Sequence, residues 1–231
     1  MQSKNIFKYN TIIIIPAFNE EYTITSLVNT VKKYGTVVVV NDGSTDSTYK
    51  KAKSAGAIVV NAKHEGYDKA LIKGFMKAKE ISIKDKNIEE FVVVTMDADG
   101  QHDPNDIKYF VIPILNENID MVLGYRNSFP RFSEVVMNYF YKKIFKVSDI
   151  LCGMKSYKLS LINNNDINFL KSSIGTGLAL NFLNNKFKWS FHNIKIKNRK
   201  DSNSRIGIIK GNIMILRALF ISFIKILERK F

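Results

Sequence analysis

Short runs of β-branched residues alternate with amphipathic stretches through the first half of the chain. Residues 11–15 (TIIII), 36–40 (TVVVV), 57–60, 91–96 (FVVVTM) and 119–123 predict five strands. Between them, residues 20–33 place Ile24, Leu27, Val28 and Val31 at helical spacing, and residues 66–81 do the same with Leu71, Phe75 and Ala78. Ser44 or Thr45 is placed to cap a helix after the second strand, and Pro104 suits the first turn of a helix after the fourth. Strand and helix alternating at this spacing predict an α/β domain with a mainly parallel sheet flanked by helices. Beyond residue 127 the pattern loosens: 133–145 reads as an aromatic helix, 148–157 as a turn or short strand, 173–185 as a helix and 188–196 as a strand. Residues 206–228 form a long apolar helix candidate with Lys210, Arg217, Lys225 and Glu228 on one stripe. Those charges leave no uncharged run near the ~18 residues of a membrane span, so the helix is expected either to lie in an interface or to pack on the core. The expected organisation is one domain over residues 1–205 followed by a basic amphipathic helix over 206–231.

Composition agrees with a folded domain. The chain has 231 residues, 45% hydrophobic and 12% aromatic, enough to bury a sizeable core. Its one cysteine, Cys152, excludes an internal disulfide and a multi-cysteine zinc site, and fits a reducing compartment. The polar start MQSKNIFKYN lacks an apolar core segment, so no secretory signal is expected. Charge adds something the pattern does not: 35 basic against 21 acidic residues give a net charge of +14. Residues 186–231 hold twelve Lys or Arg against two acids, Asp201 and Glu228, while the remainder is nearly balanced. That asymmetry points to a polyanionic partner (nucleic acid, anionic lipid or a phosphorylated substrate) or to compositional drift in a chain rich in Lys, Ile and Asn.

In an open parallel sheet, ligands bind beyond the carboxyl ends of the strands. Four predicted strand ends run into polar residues: Asn19–Glu20, Asp42, the group Asp97, Asp99 and Gln101, and Arg126. In Met96-Asp-Ala-Asp-Gly-Gln-His102, carboxylates spaced i, i+2 reach one hard cation from a tight turn, with Gly100 permitting the bend and Gln101 adding an oxygen. Mg²⁺ or Mn²⁺ held this way keeps positions open for diphosphate oxygens. An EF-hand is excluded, because His102 and Lys108 stand where its glycine and final glutamate belong. Asp99 or Asp103 also suits a helix cap before Pro104. In Asn41-Asp-Gly-Ser-Thr-Asp46, Asp42 is placed to accept from a nucleobase N–H; an ordinary turn explains the same residues. Glu20 suits a ribose hydroxyl or base edge, and Phe18 suits packing on a base. His102 is expected to support the metal loop rather than to ligate. The chain lacks the G-x-G-x-x-G, G-x-x-x-x-G-K-[ST] and G-x-S-x-G signatures, which argues against a Rossmann dehydrogenase, a P-loop nucleotidase and an α/β-hydrolase.

Together these segments resemble glycosyltransferase family 2, of GT-A fold, and within it the dolichyl-phosphate mannosyltransferases and other polyprenyl-phosphate glycosyltransferases, over residues 11–206. The resemblance implies that Pro16, Phe18, Glu20, Val40 and Asp42 bind the nucleotide, that Asp97, Asp99 and Gln101 hold a divalent ion, and that Asp97 and Ala98 line the donor. It places Gly124-Tyr125-Arg126 near the acceptor phosphate, with Arg131 as a further cation. It matches Asp149-Ile-Leu-Cys-Gly-Met-Lys155 to a later family segment, and gives the diphosphate to the cations of Arg199-Lys-Asp-Ser-Asn-Ser-Arg205. Three departures stand out: Met154-Lys155 where Phe-Arg is usual, Ser202 for Gly, and Thr176 and Leu178 where an acidic residue is expected. The function implied is inverting, metal-dependent sugar transfer from a nucleotide diphospho-sugar to a polyprenyl phosphate, with Asp99, Asp149 and Arg126 as the catalytic group. A phosphate monoester is largely ionised at pH 7 and needs no strong base. A second reading keeps the donor and takes a saccharide hydroxyl as acceptor, with Asp149 as base. A third is a non-enzymatic basic membrane or nucleic-acid binder. On the first reading the expected location is cytoplasmic and peripheral, at the inner face of an anionic membrane, with no nucleic-acid partner.

Overall fold

The runs TIIII and TVVVV are apolar without alternation because the strands they form are covered on both faces. In a computed structural model, which describes residues 10–84, 91–127, 129, 131–163, 174–197, 213 and 216, seven strands form one sheet. They are β1 (Thr11–Ala17), β2 (Thr36–Asp42), β3 (Ile58–Ala62), β4 (Val92–Thr95), β5 (Met121–Arg126), β6 (Lys155–Lys158) and β7 (Trp189–Ile194). The helices are α1 (Ile24–Val31), α2 (Thr48–Ser54), α3 (Tyr67–Lys84), α4 (Ile107–Asn116), α5 (Phe132–Phe145) and α6 (Ile174–Asn184). Ile12, Ile14, Val38 and Val40 pack in one core with Leu71 and Phe75 of α3, Tyr141 of α5 and Phe182 of α6. Their neighbours Ile13, Ile15, Val37 and Val39 pack on the opposite face with Leu27 and Val28 of α1 and Phe110 of α4. Each such side chain stabilises the fold by about 1.5–3 kcal/mol when fully buried.

The strand order is β3-β2-β1-β4-β6-β5-β7. Ile14 pairs with Val38 of β2 on one side and Thr95 of β4 on the other, both in parallel. After β1 the chain builds outward through β2 and β3, then returns to the other side of β1 for β4. The gap between the loops after β1 and β4 is therefore the topological switch point, where such sheets bind ligands. β6 runs antiparallel to both β4 and β5, which restores β5 to the direction of β4. The carboxyl ends of β1, β2, β4 and β5 thus share one edge of the sheet, and the turn that precedes β6 arrives at that edge as well.

The structure refines several sequence expectations. Neither Ser44 nor Thr45 caps a helix; α2 starts at Thr48, whose amide and hydroxyl both donate to Asp46 Oδ1. Pro104 opens a 3₁₀ turn (Pro104–Asp106) ahead of α4, and its cap is Asp103, which accepts from the Asn105 amide at 3.0 Å. The predicted segment 148–157 divides into a turn and β6. The C-terminal helix expected over 206–228 lies outside the described residues except for Ile213 and Leu216, which are helical and exposed. No helix among the described residues is long and apolar enough to cross a membrane.

Candidate active site

The loops after β1 and β2 hold each other. Asn19 adopts φ 53°, a left-handed conformation that Asn tolerates better than most residues. Its amide donates to Ser44 Oγ at 2.9 Å, and its Oδ1 accepts from the Thr45 amide at 2.8 Å. The Glu20 amide donates to Thr48 Oγ1 at 2.7 Å, and the Glu21 amide to Asp46 Oδ2 at 3.2 Å. Ser44 and Thr45, read from sequence as helix caps, instead tie the two loops together. Phe18 packs against His64, with ring centroids 4.2 Å apart. Glu20 is buried, and Thr23 Oγ1 donates to the carbonyl of Ala98 at 2.7 Å, joining the β1 loop to the β4 loop. Pro16, Val40 and Ala98 are buried, and the Val40 side chain is enclosed in the core on the α3 side of the sheet.

Asp42 is also buried, and its carboxylate receives two backbone amides: Glu65 donates to Oδ1 and Gly66 to Oδ2, both at 2.8 Å. Hydrogen bonds to a charged acceptor are worth about 1.5–3 kcal/mol each. Each oxygen keeps a second lone pair, so the group expected to face a base is positioned by the loop rather than consumed by it.

The next residue, Tyr67, opens α3 and donates its hydroxyl to Asp97 Oδ1 at 3.0 Å. Burial of the hydroxyl, followed by the Asp97 charge, raises its pKa well above the ordinary 10, although the residue as a whole is 46% exposed. On the other side Asp97 lies flat against Gly153: a Cβ there would sit 2.1 Å from Oδ2 and 2.5 Å from Cγ. Asp99 Oδ1 accepts from the Gln101 amide at 3.0 Å across Gly100, whose φ of +75° favours glycine. The Gln101 carbonyl accepts from the Lys197 amide at 2.9 Å, and Lys197 pairs with Asp103 at 3.1 Å. The chain therefore leaves for residues 198–212 from beside the acidic loop, and Arg199 and Arg205 lie outside the described residues.

Among the described residues no group of three His, Cys, Asp or Glu forms a ready-made metal cage. Two partly exposed carboxylates and an amide oxygen suit a hard cation that takes its remaining ligands from phosphate and water, as Mg²⁺ does. His102 is buried beneath this loop, and its Nδ1 has no hydrogen-bond partner among the described residues.

The β5 end is built differently. Arg126 binds Asp149 through a fork, Nε to Oδ2 and Nη2 to Oδ1, each at 2.7 Å, and its amide donates to Oδ2 at 2.9 Å. Glu134 bridges the two arginines, 3.3 Å from Arg126 Nη2 and 3.0 Å from Arg131 Nη1. Asp149 and Glu134 are buried, and the Arg126 side chain is 18% exposed. Burial alone would lower the Arg126 pKa, but the Asp149 hydrogen bond and charge outweigh it and hold the guanidinium charged. Asp149 therefore does not stand as a spare base; altering it releases Arg126 whichever acceptor is used. Below this group, buried Lys155 donates to the Cys152 carbonyl, and desolvation lowers its pKa from 10.5. Burial, then the Asp149 charge, pushes the Cys152 thiol up to about 12. Sequence reasoning missed Tyr67, Glu134 and the role of Gly153. The glycine stood inside a recognised segment, and Glu134 had a signal in its spacing from Arg131, but Tyr67 read only as the start of a helix.

The family model described as glycosyl transferase family 2 matches residues 12–222, and the chain belongs to that family. It is 35% identical over 139 residues to the UDP-N-acetylglucosamine–dolichyl-phosphate N-acetylglucosaminyltransferase of Methanococcus voltae, covering 52% of this chain and 53% of that one. It is 29% identical over 151 residues to the dolichol-phosphate mannosyltransferase of Pyrococcus furiosus, covering 61% and 39%. The chain spans about half the length of the curated relatives it most clearly matches. Its fold is similar to that of Mycobacterium tuberculosis glucosyl-3-phosphoglycerate synthase crystallised with Mn²⁺, UDP and glucosyl-3-phosphoglycerate, with a TM-score of 0.69 at 18% identity over 92% of this chain and 79% of that one. At that identity the likeness establishes the GT-A fold alone.

Proposed function

We propose that the chain transfers a sugar, with inversion, from a nucleotide diphospho-sugar to a polyprenyl phosphate. The observation that carries this reading is the continuous link from Asp42 through Glu65, Gly66 and Tyr67 to Asp97, which ties together the carboxylate read as facing the nucleoside and the one read as holding the cation. Asp97, Asp99 and Gln101 would hold Mg²⁺ or Mn²⁺, which when bound screens the charge of the departing diphosphate. Phe18 and Glu20 would meet the nucleoside, and Arg199 and Arg205 the diphosphate. Solved relatives in fold carry UDP with Mn²⁺ or with Mg²⁺, which supports the donor class.

The acceptor class is supported by the β5 end. A phosphate dianion is its own nucleophile and needs cations to place it, whereas a hydroxyl needs a base. The nearest carboxylates, Asp149 and Glu134, are both committed to arginine, and Thr176 and Leu178 stand buried where the family's acid is expected. Glu134 bridges Arg126 and Arg131 as a phosphate does, so an acceptor headgroup would exchange with it. Relatives named for dolichyl, dolichol and dodecaprenyl phosphates support the lipid.

Peripheral attachment to the inner face of an anionic membrane, on the cytoplasmic side, belongs to the same proposal. Phe132, Val135 and Tyr139 are exposed on the outer face of α5, at 78%, 49% and 63%, and Lys142, Lys143 and Lys146 continue that exposed face. Apolar and aromatic residues with flanking lysines suit an acidic lipid surface, alongside the basic C-terminal quarter.

The test is incubation with Mn²⁺, undecaprenyl phosphate and a panel of labelled UDP- and GDP-sugars, followed by organic extraction. Label in the lipid phase supports the reading. Label in a soluble glycan, with none in lipid, replaces it with the saccharide-acceptor reading.

A further inference from the structure

An aspartate at a strand end turns freely about its terminal torsion unless something holds both faces of the carboxylate. Asp97 is held on both. Tyr67 donates to Oδ1 at 3.0 Å, and Gly153 closes the other side so tightly that a Cβ would fall 2.1 Å from Oδ2. The two restraints come from separate elements, the first residue of α3 and the turn before β6. Tyr67 is itself seated: the amides of Glu65 and Gly66, the two residues before it, both donate to Asp42.

We propose that Tyr67 is a positioning residue for the cation, acting through Asp97, and that Gly153 completes the seat. This rests on the reading of Asp97 as a metal ligand. The phenol takes one lone pair of Oδ1 and Gly153 covers the other side of the carboxylate, so the direction in which Asp97 presents its remaining lone pairs to a cation is fixed. Removing an outer partner of a metal ligand commonly lowers metal affinity 10–100-fold.

The experiment titrates Mn²⁺ into wild type and Tyr67→Phe in the presence of UDP, or GDP if only that nucleotide binds, and reads nucleotide binding by calorimetry. Tyr67→Phe keeps the ring and loses only the hydroxyl. The expected result is a rise of about tenfold in the half-saturating Mn²⁺ concentration, with nucleotide affinity at saturating Mn²⁺ and the ligand-free melting point unchanged. Activity restored by excess Mn²⁺ gives the same split kinetically. Gly153→Ala should weaken Mn²⁺ at least as much if it folds, but Tyr67→Phe is the deciding variant. An unchanged Mn²⁺ midpoint in Tyr67→Phe, with wild type binding normally, overturns the inference and leaves the proposed function standing. Wild type that binds neither nucleotide with Mn²⁺ overturns both.

Discussion

At the β1–β4 end of the crevice, Asp42 is held by the amides of Glu65 and Gly66, and Asp97 by a phenol. At the β5–β6 end, Asp149 and Glu134 are held by Arg126 and Arg131. Amides and hydroxyls orient a carboxylate without cancelling its charge; guanidinium groups do both. The first end therefore keeps its carboxylate charge, as the proposed cation site requires. The second is neutral as it stands, and an incoming anion must compete with a carboxylate already in place.

The largest expected effect comes from breaking the neutral end. Arg126→Gln leaves Asp149 and Glu134 buried without their shared partner and should cost about 3–5 kcal/mol in urea unfolding. The double variant Arg126→Met/Asp149→Asn should recover part of that loss, since Asn tolerates the left-handed backbone of Asp149 (φ 53°) and still accepts from the residue 126 amide. A double variant no more stable than Arg126→Gln alone would contradict the pairing. At the acidic rim, Asp97→Asn or Asp99→Asn should reduce metal-dependent nucleotide binding by about a hundredfold, the upper end for groups around a metal, with little change in unfolding. A loss of stability as large as that of Arg126→Gln would erase the contrast. Glu134→Gln should lower the KM for polyprenyl phosphate severalfold, because the competing charge is removed while the shape remains. A raised KM would mean that Glu134 assists the acceptor instead.

Smaller effects follow from titration beneath the rim. Lys155 has its folded-state pKa below 10.5, so between that lowered value and 10.5 the unfolded chain binds more protons and stability rises with pH. Lys155→Met should flatten this rise in melts taken across the alkaline range. Cys152, buried with its thiol pushed up to about 12, should resist a thiol reagent at pH 8 until the protein unfolds.

Much of the fold was legible because its strands are short and their patterns strong. Residues 11–15 and 36–40 announced β1 and β2, and the spacing of Leu71, Phe75 and Ala78 announced α3. The antiparallel course of β6 was not legible: KSYK has no period that distinguishes direction, and only pairing with Val92–Thr95 sets it. Of the candidate site, the acidic loop and Asp42 were visible as polar residues ending apolar runs. The partners that orient them were not, since Tyr67 lies thirty positions before Asp97 and Asp149 lies twenty-three after Arg126. Local pattern carries no information about contacts at that separation. Val40 differs again: its side chain belongs to the core, so a ligand contact at that position would have to come from its backbone.

The reversal of β6 has a consequence for how such an enzyme diversifies. Every forward strand sends its following loop to the crevice and receives its chain from the far edge. β6 alone among these strands delivers its preceding turn, residues 149–154, to the working side, wedged between the ends of β4 and β5. That turn carries Asp149 to Arg126 and Gly153 to Asp97. Substitutions in that one turn would therefore change the partners of Arg126 and Asp97 together while leaving every crossover helix untouched, with Gly153 as the position that has no room for a side chain.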